Sequence, residues 1–440
     1  MQSYFHDLVK SLKQESASNE FFAASFLAED SDFCRFNQGM VRQAGHVAQR
    51  SLELRLVRNK KQARSQINLT GFLPEDQSRI QSVFEAGRAL LEISPEDPYV
   101  LFNDNVHSTA KVEKNTLPNH DQIVTSVMDQ ASSVDFVGIY AGGGVYRGFA
   151  NSHGQTNWFE SFNYNLDWSI YVRDDKATKS GMSGKTWNPN DFKNRMESLK
   201  DQLEVLGHPQ KNIKPGNFRV YFSPAAMSEF LGIMAWGCFG LRSQKTKASP
   251  LLKLVAGQAS VSPEVTILEN TGAGASPNFD AFGFTRPDVI PLISNGQHAG
   301  SLISASTAKE FGVLPNGAQE WESPNSVEMA GGKLNDSQIL KDLGTGIYVN
   351  NLWYLNYSDR TNCRITGMTR FATFWVENGQ IKAPLGVMRF DDSIYRIFGS
   401  NLVGLTANRE FMLDPTTYEH RSTGSFHLPG ALVSDLALTL

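Results

Sequence analysis

The sequence predicts an α+β protein: an N-terminal α/β region of helices packed on sheets, followed by a strand-rich, barrel-like C-terminal domain. Three observations carry this reading. Apolar stripes at helical spacing alternate with strand-like segments in the first half. The second half is mostly strand-like and turns twice at an Asn-Gly pair, a dipeptide suited to type I′ hairpins. A helix directly after Ser223 is inserted into those strands. The expected N-terminal domain is 1–210, with subregions at 1–93 and 121–207. The expected C-terminal domain is 216–440 with an inserted helix at 224–239, and His208 to Asn217 is the expected boundary.

Taken in order, Phe5, Leu8, Val9 and Leu12 mark a helix over Ser3 to Lys13. Phe21 to Ala28 and Phe33 to Phe36 read as strands before an Asn37-Gln38-Gly39 turn. Ser51 to Val57 places Leu52, Leu54 and Leu56 on one face, and the Arg58-Asn59-Lys60-Lys61 bend leads to a return strand ending near Leu69. Pro74 starts a helix striped by Ile80, Val83, Phe84, Leu90 and Leu91. Ser94 to Asn119 reads as a long connection, and Asp121 to Ala131 as a helix. VDFVGIYAGGGVYRGFANSHG reads as a hairpin turning at Gly142-Gly143-Gly144. Trp158, Phe162, Tyr164, Leu166, Trp168 and Ile170 then alternate as in a long strand. A helix over Asn190 to Leu206 stops at Gly207. Beyond Ser223, hairpins turn at Asn295-Gly296 and Asn378-Gly379, Asn316 to Asp336 reads as a polar loop, and SIYRIFGSNLVGL reads as a closing helix and turn.

Composition excludes several classes. The 440 residues are 40% hydrophobic and 20% charged with a net charge of −4, so no nucleic-acid footprint is expected. No stretch reaches the ~18 apolar residues of a membrane span, and the N-terminus lacks the apolar core of a secretory signal. Three widely spaced cysteines, Cys34, Cys238 and Cys363, spell out neither a disulfide framework nor a metal knuckle, which fits a reducing cytoplasm.

The segment FRVYFSPAAMSEFLGIMAWGCFGL (Phe218 to Leu241) is a strand running into a helix, with Ser223 placed to cap it and Pro224 at its first turn. The segment looks built to carry a catalytic motif, yet the helix has no histidine and Glu229 is its only carboxylate, so it lacks the ligands a zinc site needs. None of the nine histidines forms HExxH or HExxxH. His420 and His427, with Glu419 adjacent to the first, read as surface or interface residues rather than ligands. Cys238 has no basic neighbour and reads as a packing residue, whereas Cys363 follows Arg360 and Asn362 and is expected at an electropositive, exposed position without an identifiable base. Gly142 to Gly144 and Gly272-Ala273-Gly274 match no phosphate-loop pattern and read as tight turns. The Arg58 to Arg64 cluster reads as a solvated bend. Trp353, Tyr354 and Tyr357 are expected mostly in the core, with an opposite aromatic face free to line a peptide groove.

The stretch GIYVNNLWYLNYSDRTNCRITGMTRFATFWVENGQIKAPLGVMRFDDSIYRIFGSNLVGL (Gly346 to Leu405) resembles the C-terminal domain of the TldD/PmbA (TldD/TldE) peptidase family, also called peptidase U62 or "modulator of DNA gyrase". In the catalytic TldD branch the corresponding helix bears HExxxH, and a cysteine in the last segment completes the zinc site. Here the helix lacks both histidines, and the tail DPTTYEHRSTGSFHLPG has no cysteine. The resemblance therefore implies the PmbA/TldE branch, with no catalytic, cofactor-binding or metal residues in this chain and zinc in a TldD-like partner. It further implies a cytoplasmic heteromeric metallopeptidase acting on unstructured peptides, in proteolysis and peptide maturation. The chain would be inactive alone, a homodimer when alone, and free of nucleic acid and membrane. Two alternatives stand beside this: a stand-alone peptidase with a noncontiguous metal site, and a non-enzymatic regulator binding gyrase or an antitoxin.

Overall fold

A computed structural model describes residues 1–173 and 176–439. The first part of the chain forms α1 (Gln2–Glu15), β1 (Phe21–Asn37), β2 (Met40–Arg58), β3 (Lys61–Asn68), α2 (Leu73–Ile93), β4 (Ala110–Val112), α3 (His120–Ala131), β5 (Asp135–Asn151), β6 (Thr156–Arg173), β7 (Lys176–Gly184) and α4 (Pro189–Leu206). Its strands make one sheet in the order β3-β2-β1-β5-β6-β4, with β7 also on β6. Four long antiparallel strands dominate it, and their alternation explains both layers. On one face Phe22, Phe26, Tyr146 and Trp158 pack under α1 and α2, while Phe36, Phe136, Tyr140, Leu166 and Trp168 pack under α3 and α4. Phe5 of α1 stacks on Trp158 with ring centroids 5.5 Å apart. Leu91 lies in this core, but Leu90, expected in the stripe of α2, is exposed.

The three consecutive glycines do not turn. β5 runs straight through them, paired with Asp30–Asp32 of β1 on one side and Phe162–Tyr164 of β6 on the other. Gly142 and Gly144 give clearance on the helix-side face, while a Cβ on Gly143 would lie 2.3 Å from the Asp30 carbonyl oxygen. A Cβ on Gly142 would lie 2.2 Å from the Tyr140 hydroxyl, and one on Gly144 would lie 2.3 Å from the Tyr146 hydroxyl. Residues two apart share a face, so each tyrosine ring lies over the bare neighbouring glycine and covers the sheet there. The chain reverses further on, at Ser152 to Gln155, where Asn151 Oδ1 accepts from the Gln155 N–H. β1 is likewise one strand where two were expected.

The second part forms β8 (Gly216–Phe222), α5 (Pro224–Ala235), β9 (Ile267–Asn270), β10 (Val289–Ser294), β11 (Gln297–His298), β12 (Ser326–Met329), β13 (Gly346–Asp359), β14 (Arg364–Glu377), β15 (Gln380–Pro384), β16 (Arg389–Ser393), β17 (Leu402–Leu413) and β18 (Ser425–Leu438). These make a second sheet in the order β11-β10-β9-β12-β18-β16-β14-β13-β8, with β15 on β14, β17 on β18, and β8 paired again with β18. The β16–β18 link is a single residue pair, Phe390 with Leu438. Both Asn-Gly turns have two positive φ values, 47° and 77° at Asn295-Gly296 and 52° and 74° at Asn378-Gly379, as type I′ requires. The polar loop contains the short β12, and the expected closing helix is only a π-type turn at Arg396–Ser400 before the chain extends into β17.

The other face of the first sheet carries Glu29, Ser31, Arg147, Ser161 and Asn163, all buried or held under the second part of the chain. The connection between β17 and β18 is laid across it. Arg421, 6% exposed, is the anchor. Its guanidinium donates to Ser31 Oγ (3.3 Å), to the Gly143 carbonyl (3.3 Å), and to the Asn163 carbonyl (2.8 Å) and side chain. Its backbone N–H donates to Glu29 Oε2 at 2.7 Å. Burial pushes its pKa down to about 10, so it still carries its proton near neutral pH. Replacing Arg421 by Ala strips donors from these buried acceptors, and a loss of about 3–5 kcal/mol in a urea unfolding series is expected.

A second buried group on this seam responds to pH. Asp280 Oδ1 accepts from the Phe282 and Phe284 N–H groups, but Oδ2 has no hydrogen-bond partner among the described residues. Burial raises its pKa to about 7, against the partial opposition of those N–H groups and Arg286. Folding therefore favours protonated Asp280. The associated stability is present below the unfolded pKa near 4 and is lost as pH rises to about 7, levelling off above. Asp280→Asn keeps the acceptor and removes the titration, so its unfolding curve should lose this fall and gain on the order of 2–4 kcal/mol at pH 8.

Candidate functional site

Helix α5 begins where its sequence signals place it. Ser223 Oγ accepts from the Ala226 N–H (3.2 Å) and donates to the Asn350 carbonyl (2.6 Å), tying the cap to β13. The helix ends at Ala235 rather than at 239, because Gly237 takes a φ of 90°. It is apolar on most sides: Ala226, Met227, Phe230, Leu231, Ile233 and Met234 are buried in the main core. The remaining strip, Ala225, Ser228, Glu229 and Gly232, faces a cavity of about 330 Å³. Opposite stand Asn165, Asp167 and Lys179 to Ser183 of the first sheet, and the floor is closed by Phe411 to Pro415 and Phe426. A wider recess of about 750 Å³ shares Met182, Ser183 and Phe411 with it and runs along the seam past Arg195 and Glu410, which pair at 2.5 Å.

Lys179 Nζ lies 2.7 Å from Asp167 Oδ1, and the Lys179 carbonyl accepts from Asn350 Nδ2 at 2.9 Å. Glu229 makes no side-chain hydrogen bond among the described residues, and desolvation raises its pKa, countered by Lys179. The cleft thus holds two carboxylates, Glu229 and Asp414, one ion pair and the amides of Asn165 and Asn351. Lys179, Asp167 and Asn165 were not singled out in the sequence because they belong to the other sheet, and no local motif marks them.

These groups do not suit zinc, which needs three or four imidazole, thiolate or carboxylate ligands at one point. Among the described residues no three His, Cys, Asp or Glu side chains come together in that way. His427, on β18, lies 3.9 Å from Glu328 of β12, beside Phe411. His420 sits on the Arg421 connection, close to Arg147 and Glu29. Burial lowers both pKa values, helped by Arg409 and Arg147 respectively. The structure therefore gives each histidine its own surroundings.

Cys363 is not exposed. It is fully buried at a φ of 47°, and the neighbouring Cys238 thiol, together with burial, raises its pKa. Cys238 Sγ is 3.1 Å from the Tyr357 hydroxyl, which donates to the Ile233 carbonyl at 2.9 Å. Both thiols are thus packed, and Arg360 only partly offsets the rise at Cys363. Trp353 and Tyr354, expected in the core, are 50% and 72% exposed, because a bulge in the β13–β14 pairing turns them outward. The Arg58 to Arg64 bend is solvated, with Arg58 paired to Glu92 and Arg64 to Glu320. Gly272 to Gly274 is a turn closed by the Gly274 N–H on the Asn270 carbonyl at 3.0 Å.

Comparison with known proteins adds an identity to this geometry. Residues 215–440 match the family described as PmbA/TldA metallopeptidase C-terminal domain. Curated protein sequences give no match. Among solved structures, TldE from Thermococcus kodakarensis superposes with a TM-score of 0.80 at 14% identity, over 99% of this chain and 100% of that one. A proposed modulator of a DNA gyrase from Thermotoga maritima gives 0.77 at 16% identity, over 100% of both chains. A similarly described protein from Bacteroides thetaiotaomicron gives 0.76 at 16%, over 100% of this chain and 98% of that one.

The donor set around α5 leads to a direct expectation. The purified chain, dialysed without chelator, should hold far less than stoichiometric zinc by elemental analysis. One tightly held zinc per chain, lost when His420 or His427 is replaced, would contradict it.

Proposed function

Because the chain belongs to the PmbA/TldD family of metallopeptidases, we propose that it is the non-catalytic, TldE-like subunit of a two-component peptidase. The observation that carries this is the face of α5. In the position where the catalytic branch presents HExxxH, the cleft receives Glu229 between Ser228 and Gly232, with no imidazole beside it. A zinc-bound water must be polarised by the metal and deprotonated by a nearby carboxylate. Glu229 resembles the second of these requirements, and nothing on the helix supplies the first. Similarity in fold to TldE from Thermococcus kodakarensis favours the same reading.

In this proposal the partner is a TldD-like chain that holds the zinc, and the substrate is an unstructured peptide. The present chain contributes a wall of the chamber: the seam cleft and the exposed Trp353 and Tyr354. The cycle of pairings through β8, β13, β14, β16 and β18 supports a barrel-like second domain, and the division of strands between the two sheets supports domains at 1–210 and 216–440. We place the complex in the cytoplasm, with homodimers when the partner is missing and no role for nucleic acid. No described helix is long and apolar enough to cross a membrane.

The test is cleavage of an unstructured peptide by each subunit alone and by the mixture. Activity should appear only in the mixture and vanish when the partner's HExxxH glutamate is replaced. Chelator-sensitive hydrolysis by this chain alone would defeat the proposal, as would a mixture that survives loss of that glutamate.

A further inference from the structure

A second cavity, of about 300 Å³, opens on the seam away from Glu229. Tyr171, Lys176 and Ala177 of β6 and β7 form one wall, Leu206 at the end of α4 a second, and Thr369 to Phe371, Thr373 and Leu385 to Val387 the rest. Its chemistry differs from that of the main cleft. Two basic side chains, Lys176 and Arg370, line it, whereas the cleft beside α5 contains Asp167, Glu229 and Asp414.

Four features mark a built site. Lys176 Nζ donates to Gln210 Oε1 at 3.0 Å on the exposed rim. The Arg370 guanidinium lies 4.9 Å from the Trp353 ring centroid and 5.2 Å from that of Phe371, so its plane is held by two aromatic faces, while it has no acidic partner among the described residues. Thr373, 1% exposed, lines the cavity with a hydroxyl that has no hydrogen-bond partner among the described residues. Buried polar atoms without partners are rare and call for an explanation. Phe371 itself sits at a φ of 57°, a conformation bulky residues seldom adopt and which concentrates at functional positions.

We propose that this cavity binds an apolar carboxylate. Arg370 and Lys176 would take the two oxygens as charge-assisted hydrogen bonds, and the Thr373 hydroxyl would supply a third donor. Leu206, Phe371, Leu385 and Val387 would enclose a side chain such as leucine. The volume lies at the lower end of ligand cavities, enough for one or two residues. That chemistry is shared by the C-terminal end of a peptide and by a free acylated amino acid. The inference goes beyond the subunit reading and does not need the partner.

The test uses the isolated full-length chain, with calorimetry and tryptophan fluorescence as readouts. N-acetyl-leucine and acetyl-Gly-Gly-Ala-Leu are titrated beside their C-terminal amides. The acids should bind at least about tenfold more tightly than the amides, because the amide leaves the two cations unpaired. Tighter binding of the peptide acid identifies a chain terminus as the ligand, and equal binding of the two acids identifies the free acid. Arg370→Gln should weaken both acids by about tenfold. Thr373→Val should weaken them while Thr373→Ser retains affinity. Equal binding of acids and amides, absence of binding by any acid, or an unchanged affinity in a folded Arg370→Gln chain would overturn the proposal.

Discussion

The relation between the two sheets depends on one guanidinium. Arg421 reaches from the β17–β18 connection onto the buried polar face of the first sheet, where its donors meet acceptors on three adjacent strands: Ser31 on β1, the Gly143 carbonyl on β5 and Asn163 on β6. Such a face could not be buried against hydrocarbon without leaving these groups unpaired, a cost of about 1–3 kcal/mol for each. The arginine satisfies several at once. Its own carbonyl accepts from Arg147, so a second cation on β5 is held by the same contact. Around this point the two layers are set, and with them the cleft over α5 and the recess that runs past Arg195 and Glu410.

Much of the architecture is legible in the sequence because it follows local rules. The Ser223-Pro224 start of α5, the Asn-Gly hairpins and the striped helices all fold as their residues dictate. The misreadings have a common cause, which is that long-range pairing overrides local turn chemistry. Gly142 to Gly144 look like a reversal until two neighbouring strands and two tyrosine rings are placed beside them. Trp353 and Tyr354 look like core until the bulge between β13 and β14 rotates them into solvent. Cys363 looks exposed among charges until the turn folds it under Tyr357.

The candidate site was only half visible for a related reason. Glu229 and the missing histidines lie on one helix and can be read in a single line of sequence. Lys179, Asp167 and Asn165 reach the cleft from a different sheet, and Arg370 and Thr373 meet Lys176 only once both sheets are in place. No spacing rule links residues that share a cavity through tertiary contact alone. Seams between layers are where such sites arise, because each layer contributes side chains that its own packing does not use.

The position of β18 in sequence order sets a timetable for folding. The first sheet can be complete once residue 184 has been made, since all of its strands precede that point. The second cannot: β18 pairs with β8, β12, β16 and β17, so β8, made about two hundred positions earlier, must wait for it. Until then β8 and β12 present open edges of the kind that invite mispairing. The finished first layer offers a remedy, because the Arg421 connection immediately precedes β18 and can dock there before the strand threads between its neighbours. Folding by this route would be vectorial, with the early half acting as a template that delivers the final strand to its slot, and its rate would be governed by closure of a very long loop rather than by local structure.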